Sequence, residues 1–123
     1  YITDDNSLFN IQSQVVKEIA AKGSAIFVGR CADYILRDSK ELLSVFITAD
    51  REDKIKRIMK RHGMDEAQAE HYMDRGDRKR KGYYDYFTFK QWGDSKSYHV
   101  CLNSSKFGIE GCADIIISLL EKM

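Results

Sequence analysis

No proline occurs anywhere in the 123 residues, so no proline-rich linker divides the chain. Cysteine is scarce: Cys31, Cys101 and Cys112 are odd in number, far apart and without CxxC spacing. Neither a disulfide framework nor a thiolate zinc site is indicated, and a reducing cytoplasm fits best. No apolar run approaches the ~20 residues needed to span a bilayer, so no membrane partner is expected. Charge of one sign is missing too, with 20 Lys+Arg against 19 Asp+Glu giving a formal net charge of +1. No chain-wide field therefore attracts nucleic acid. There is no internal repeat and no low-complexity stretch.

What is present describes an ordinary globular chain, with 43% hydrophobic and 32% charged residues. Its length bounds it to a single domain over 1–123, large enough to bury about two thirds of its unfolded surface. It opens at Tyr1 directly into a helical pattern, which raises the expectation of a fragment of a longer chain.

Hydrophobic periodicity places the elements. Asp4, Asp5, Asn6 and Ser7 supply cap-type residues before a helix carrying Leu8, Ile11, Val15, Val16 and Ile19, with Gly23 at its end. The apolar run from Ser24 to Gly29 predicts a strand buried on both faces, followed by a short helix through Ala32, Ile35 and Leu36. Residues 43–49 predict a second strand. Asp50 is placed to cap the next helix, with Asp53 as its box partner, and Ile55, Ile58 and Met59 form the inner face up to Gly63. Asp65 restarts a helix that is expected to break at Gly76 and Gly82 before Tyr84 and Phe87. Residues 97–103 predict a third strand. A last helix over about 109–121 turns Ile109, Cys112, Ala113, Ile116, Leu119 and Leu120 inward. This alternation calls for an α/β fold with a parallel sheet, and three strands alone suggest that more sheet lies upstream.

Several groups could carry chemistry. Between Arg51 and Lys81 there are eleven basic and seven acidic residues, and five cations fall within residues 75–81. Arg57 and Arg61 stand one turn apart on one helix face. Guanidinium groups flanking a cleft suit polyphosphate, whose oxygens match the planar fork. The plain alternative is a solvated helix face with ion pairs. Six aromatic residues follow between Tyr83 and Trp92, and they read either as core packing, as a base-stacking ring or, with the cations, as a single-stranded nucleic-acid platform over residues 75–92.

Arg30 and Asp33 leave the first predicted strand at the edge where open parallel sheets bind ligands, and Asn103, Ser104 and Ser105 leave the third one likewise. Their alternatives are an arginine ordered by Asp33 and an ordinary turn. Cys31 beside Arg30 could carry a somewhat activated thiol. His62, His71 and His99 share no metal-ligand spacing, and no metal site is expected.

The strings Val28-Gly-Arg-Cys-Ala-Asp-Tyr-Ile-Leu36, Asp77-Arg-Lys-Arg-Lys-Gly-Tyr-Tyr84, Trp92-Gly-Asp94 and Tyr98-His-Val-Cys-Leu-Asn-Ser-Ser105, in order with the Arg57/Arg61 helix, resemble the cytidylate kinase-like family. That family lies in the nucleoside monophosphate kinase group of P-loop kinases. The resemblance implies a three-layer α/β/α P-loop kinase-like fold, incomplete at the N-terminus, with a lid-like helical segment at about 62–92. It implies ATP-dependent phosphoryl transfer to a nucleoside monophosphate, with ATP and Mg²⁺ required. Arg30 and Asp33 would contact the acceptor nucleotide. Arg57 would meet a base and Arg61 the phosphates. Asp77 and Arg80 match the lid's Asp-x-x-Arg, with Arg80 closing on the phosphates. Asn103, Ser104 and Ser105 would lie near the adenine. Neither GxxxxGK[ST] nor a GSGG-type variant occurs in the sequence, so the phosphate-binding loop is expected upstream, and these residues alone are not expected to hold ATP. A nucleic-acid-binding module and an inactive kinase-like nucleotide sensor are the competing readings. The acceptor, with cytidylate a guess, and a homo-oligomeric state stay open.

Overall fold

The computed structural model describes the backbone of residues 2–123 and the side chains from Asn6 onward. Its elements are α1 (Ile2–Lys22), α2 (Ala32–Ile35), β1 (Val45–Thr48), α3 (Arg51–His62), α4 (Glu66–Thr88), a single 3₁₀ turn at Ser95–Ser97, β2 (Val100–Asn103) and α5 (Ser104–Leu120). The chain forms two compact units, divided between Leu42 and Leu43. None of the described helices is long and apolar enough to cross a membrane.

In the first unit α1 packs on α2. Val16, Ala32 and Ile35 are buried, with Phe9, Phe27 and Leu36 against them. The helix begins at Ile2, so Asn6 and Ser7 lie within it rather than ahead of it, while the expected caps Asp4 and Asp5 fall outside the described side chains. Of the predicted apolar stripe only Val16 is buried, because the four-residue α2 is too short to cover Leu8, Ile11, Val15 and Ile19. The expected strand at 24–29 is irregular chain instead, with Ile26 94% and Val28 89% exposed. A buried parallel strand needs a neighbour in the ladder, and among the described residues this segment has none.

The second unit holds a two-stranded parallel sheet in register Val45↔Val100 through Thr48↔Asn103. Two parallel strands require a crossover, which α3 and α4 provide. Both strands are shorter than their sequence patterns. The register is pinned just before β1. The buried Ser44 donates its N–H to His99 Nδ1 at 2.9 Å, and the His99 N–H points back at Ser44 Oγ and O, each at 3.0 Å.

The crossover follows its sequence signals more closely. Ile55, Ala69 and Met73 form the buried contact of α3 with α4, flanked by Ile58, Met59 and Met64. Burying the Ile55 and Met73 side chains stabilises by about 1.5–3 kcal/mol each. Gly63, at φ 64°, ends α3 in the left-handed conformation that only glycine adopts without strain. Asp65 opens α4 with a reciprocal capping box to Gln68, at 2.8 and 3.1 Å.

Two expectations fail here. Gly76 and Gly82 do not break α4, which runs unbroken for 23 residues. A mid-helix glycine costs about 1 kcal/mol, less than the cap and the buried Ala69, Met73, Tyr84 and Thr88 return together. The last helix is present where expected, since a break at Gly108 (φ 74°) separates it from a short helical piece that starts at Ser104. Its inner face is narrower than expected: Cys112 is buried, whereas Ile109, Ala113 and Leu120 are exposed.

Candidate functional site

Three places gather the chemistry-bearing residues. The first is the carboxyl edge of the β1–β2 sheet. Asn103 precedes α5 and its side-chain oxygen accepts the Ser105 N–H at 2.8 Å, while its Nδ2 donates to Asp50 Oδ1 at 3.1 Å. Ser105 Oγ accepts the Asp50 N–H at 2.8 Å, and Ser104 Oγ donates to the Thr48 carbonyl at 3.1 Å. The three polar side chains expected at this edge are thus brought together. They tie the start of α5 to the turn that leaves β1. Asp50 takes the N-cap position of α3 without capping it, because its carboxylate is turned to Asn103, and no box with Asp53 forms. The result is a rigid rim where a parallel sheet presents ligands.

The second place is the α3–α4 pair. Asp77 Oδ1 accepts from Arg80 Nη2 at 2.6 Å, and Asp77 Oδ2 lies 3.7 Å from Lys54 Nζ on α3. One carboxylate therefore holds the expected phosphate-closing arginine and also joins the two helices. Gly76 makes the room: a Cβ there would come within 3.1 Å of the Arg80 guanidinium. Arg80 also lies 5.9 Å over the Trp92 ring. Trp92 is fixed in turn, its N–H donating to Asp85 Oδ1 at 2.7 Å and its ring meeting Phe46 edge-on at 5.2 Å. Lys81 Nζ donates to the second Asp85 oxygen at 2.7 Å, and these two hydrogen bonds, the lysine's first, hold the Asp85 carboxyl below its ordinary range.

At the far end Arg51 forks onto Asp74, at 3.1 and 3.2 Å, and reaches Glu70 at 3.3 Å. The Arg51 hydrogen bond is the main reason the Asp74 carboxyl titrates below its usual range. Arg57 and Arg61 stand exposed on α3, and neither makes an ion pair among the described residues. The structure does not bring them onto Asp77 or Arg80.

The third place lies in the first unit. Gly29, Arg30 and Cys31 are all left-handed, at φ 70°, 60° and 56°. Non-glycine residues pay about 1–2 kcal/mol each for that conformation. The turn presents Arg30 to solvent and buries Cys31. Asp33 Oδ1 accepts the Tyr34 N–H at 2.9 Å. The expected activation of Cys31 is overturned: burial, and then the Asp33 charge, push its thiol up to about 11. Among the described residues no group of three or more His, Cys, Asp or Glu side chains could hold a metal ion.

Sequence reasoning missed Lys54, Asp50 and Gly76. Lys54 carries no local signal, since its partner is on another helix. Asp50 carried one, read as a cap. Gly76 was read as a helix break rather than as space for an arginine.

The profile of the cytidylate kinase-like family matches residues 1–106, and the chain belongs to that family. Among solved structures, that of an uncharacterized protein from Eubacterium ventriosum superposes with a TM-score of 0.92 at 33% sequence identity, over 99% of this chain and 77% of that one. A search of curated proteins finds no match.

Proposed function

We propose that the protein transfers a phosphoryl group from ATP to a nucleoside monophosphate, with a cytidylate-type acceptor, in the cytoplasm. Membership of the cytidylate kinase-like family over residues 1–106 carries this reading. In it the two-stranded sheet is part of a three-layer α/β/α P-loop fold, and residues 24–28 pair once further strands are present.

The nucleophile is an oxygen of the acceptor's own phosphate, so no catalytic base is needed, and catalysis rests on positioning and charge neutralisation. Arg30 and Asp33 take the acceptor nucleotide. Arg57 meets a base, and Arg61 the phosphates. Arg80 supplies charge to the transferred phosphoryl when a phosphate competes it away from Asp77. The rim of Asn103, Ser104 and Ser105 borders the adenine.

The residues in hand do not fit the phosphates of ATP, since no glycine-rich loop occurs in the sequence to cradle them. Among the described residues there is no carboxylate cage for Mg²⁺ either. In this reading the loop is supplied upstream, and the ion arrives on the substrate phosphates, as Mg²⁺ commonly does.

Calorimetric titration of this chain with CMP, UMP and AMP tests the acceptor half. The expected result is saturable binding of one monophosphate, weakened tenfold or more by Arg30→Ala. Absence of binding by all three would overturn the proposal.

A further inference from the structure

The near-neutral charge of the chain conceals a segregated surface on α4. The helix carries five carboxylates (Glu66, Glu70, Asp74, Asp77 and Asp85) and five cations. At 3.6 residues per turn all five carboxylates fall on the side toward α3 and its flank. Arg80 and Lys81 lie on that side too and are paired there with Asp77 and Asp85. The opposite arc holds Arg75, Arg78 and Lys79 and contains no carboxylate. All three are exposed, and none makes an ion pair among the described residues, with Arg78 acting on Asp74 only at longer range.

The same arc carries Tyr83 and Tyr86, 36% and 52% exposed and each 4.8 Å from the Phe87 ring. At its edge stands Tyr72, 37% exposed and 4.8 Å from the His62 ring at the end of α3. Each ring therefore has one side packed and part of its surface in solvent. Three cations stand between Tyr72 at one end and Tyr83 and Tyr86 at the other, a rise of about 21 Å over fourteen residues at 1.5 Å each. A shallow depression of about 250 Å³ lies at the N-terminal end of the arc, lined by Met64, Gln68, His71, Tyr72 and Arg75. It offers a ring face, a methionine side and a guanidinium to one flat, polar-edged group.

We infer that the outer face of α4 is a docking surface for single-stranded nucleic acid, with bases stacking on Tyr72, Tyr83 and Tyr86 and phosphates tracking Arg75, Arg78 and Lys79. Aromatic platforms beside cations bind single strands with little sequence preference, because every base has a stacking face. An anionic membrane fits the arc less well, since between Tyr72 and Tyr86 it carries no aliphatic side chain to enter the acyl region. An acidic peptide would engage the cations but not the exposed parts of the three rings. The surface is distinct from the side of α4 that carries Arg80, and it does not depend on phosphoryl transfer.

Fluorescence anisotropy with a fluorescein-labelled thymidine 12-mer tests it, at several salt concentrations. Binding is expected to weaken with salt, and the joint change Arg75→Gln, Arg78→Gln, Lys79→Gln should lower the log–log slope by about two, at roughly 0.7 per phosphate contact. Tyr72→Ala and Tyr86→Ala should each weaken binding about fivefold or more. Lys81→Gln, on the paired side, should leave binding unchanged, and circular dichroism confirms that every variant is folded. The inference is overturned by no binding at 50 mM salt, by binding indifferent to the tyrosines, or by full displacement with millimolar CMP, which would place the oligonucleotide in a mononucleotide site. Preference for phosphatidylserine vesicles or a polyglutamate peptide over the 12-mer would overturn it equally.

Discussion

Arg80 is held by Asp77, one turn back on its own helix, through a 2.6 Å charge-assisted hydrogen bond from Nη2 to Oδ1. Lys54 engages the other carboxylate oxygen from α3. The arginine proposed for the phosphates therefore has a defined resting partner, which in that proposal a phosphate would displace. Exposed pairs of this kind contribute about 0–1 kcal/mol, so the displacement costs little.

Replacing Arg80 with Ala should accordingly separate activity from stability. Turnover in the full-length protein is expected to fall about 10³-fold, the scale of a phosphate-neutralising arginine. The urea midpoint should stay within the error set by an exposed ion pair. Equal losses in both would assign Arg80 a structural role instead.

Gly76→Ala probes the space that glycine leaves. The new Cβ would meet only the far end of the Arg80 side chain, which can swing away. Helix propensity then favours the variant by about 1 kcal/mol. A rise of a few degrees in Tm is expected from a thermal melt, and a fall would mean that the Arg80 guanidinium cannot leave its place.

The Ser44–His99 clasp was invisible in the sequence, as were the contacts of Asp50 with Asn103 and Ser105 and of Ser104 with Thr48. Their partners are 53 to 56 residues apart, and no local pattern encodes such pairing. The α3–α4 hairpin was legible for the opposite reason. Its apolar face, Gly63 and the Asp65 cap are all set within a few residues of one another. Residues 24–28 have the composition of a buried strand, yet composition cannot supply the neighbouring strand that the conformation needs. At the candidate site, Asp77 and Arg80 were legible only through the family resemblance, which did not foretell their ion pair, and Lys54 reaches the same carboxylate from another element.

His99→Ala should leave the buried Ser44 N–H without its imidazole acceptor, at a cost of about 1–3 kcal/mol. Chemical denaturation measures this, and hydrogen exchange at Ser44 and Val45 should accelerate. A neutral result would mean that the sheet register does not depend on the clasp.

Acid should weaken the C-terminal end of α4 through Asp85. Its folded carboxyl titrates below the ordinary value, so the stability it adds is present above the unfolded carboxylate range, near 3.9, and is lost as pH falls through the depressed folded value. Denaturation midpoints of the native protein should therefore drop more steeply below about pH 4 than those of Asp85→Asn. Parallel curves would remove Asp85 from the account.

Thiol chemistry should follow burial. Cys101 is exposed, whereas Cys31 and Cys112 are buried and the Cys31 thiol is pushed up to about 11. One thiol should react quickly with Ellman's reagent at pH 8 and two slowly. Rapid modification of Cys31, located by peptide mapping, would contradict the packed turn behind Arg30.

The proposed activity is tested most directly by mixing the full-length protein with radiolabelled γ-phosphate ATP, Mg²⁺ and each nucleoside monophosphate, then separating the products. The account predicts label in one nucleoside diphosphate, matched mole for mole by ADP. Label released only as inorganic phosphate, or retained on ATP with every acceptor, would contradict it.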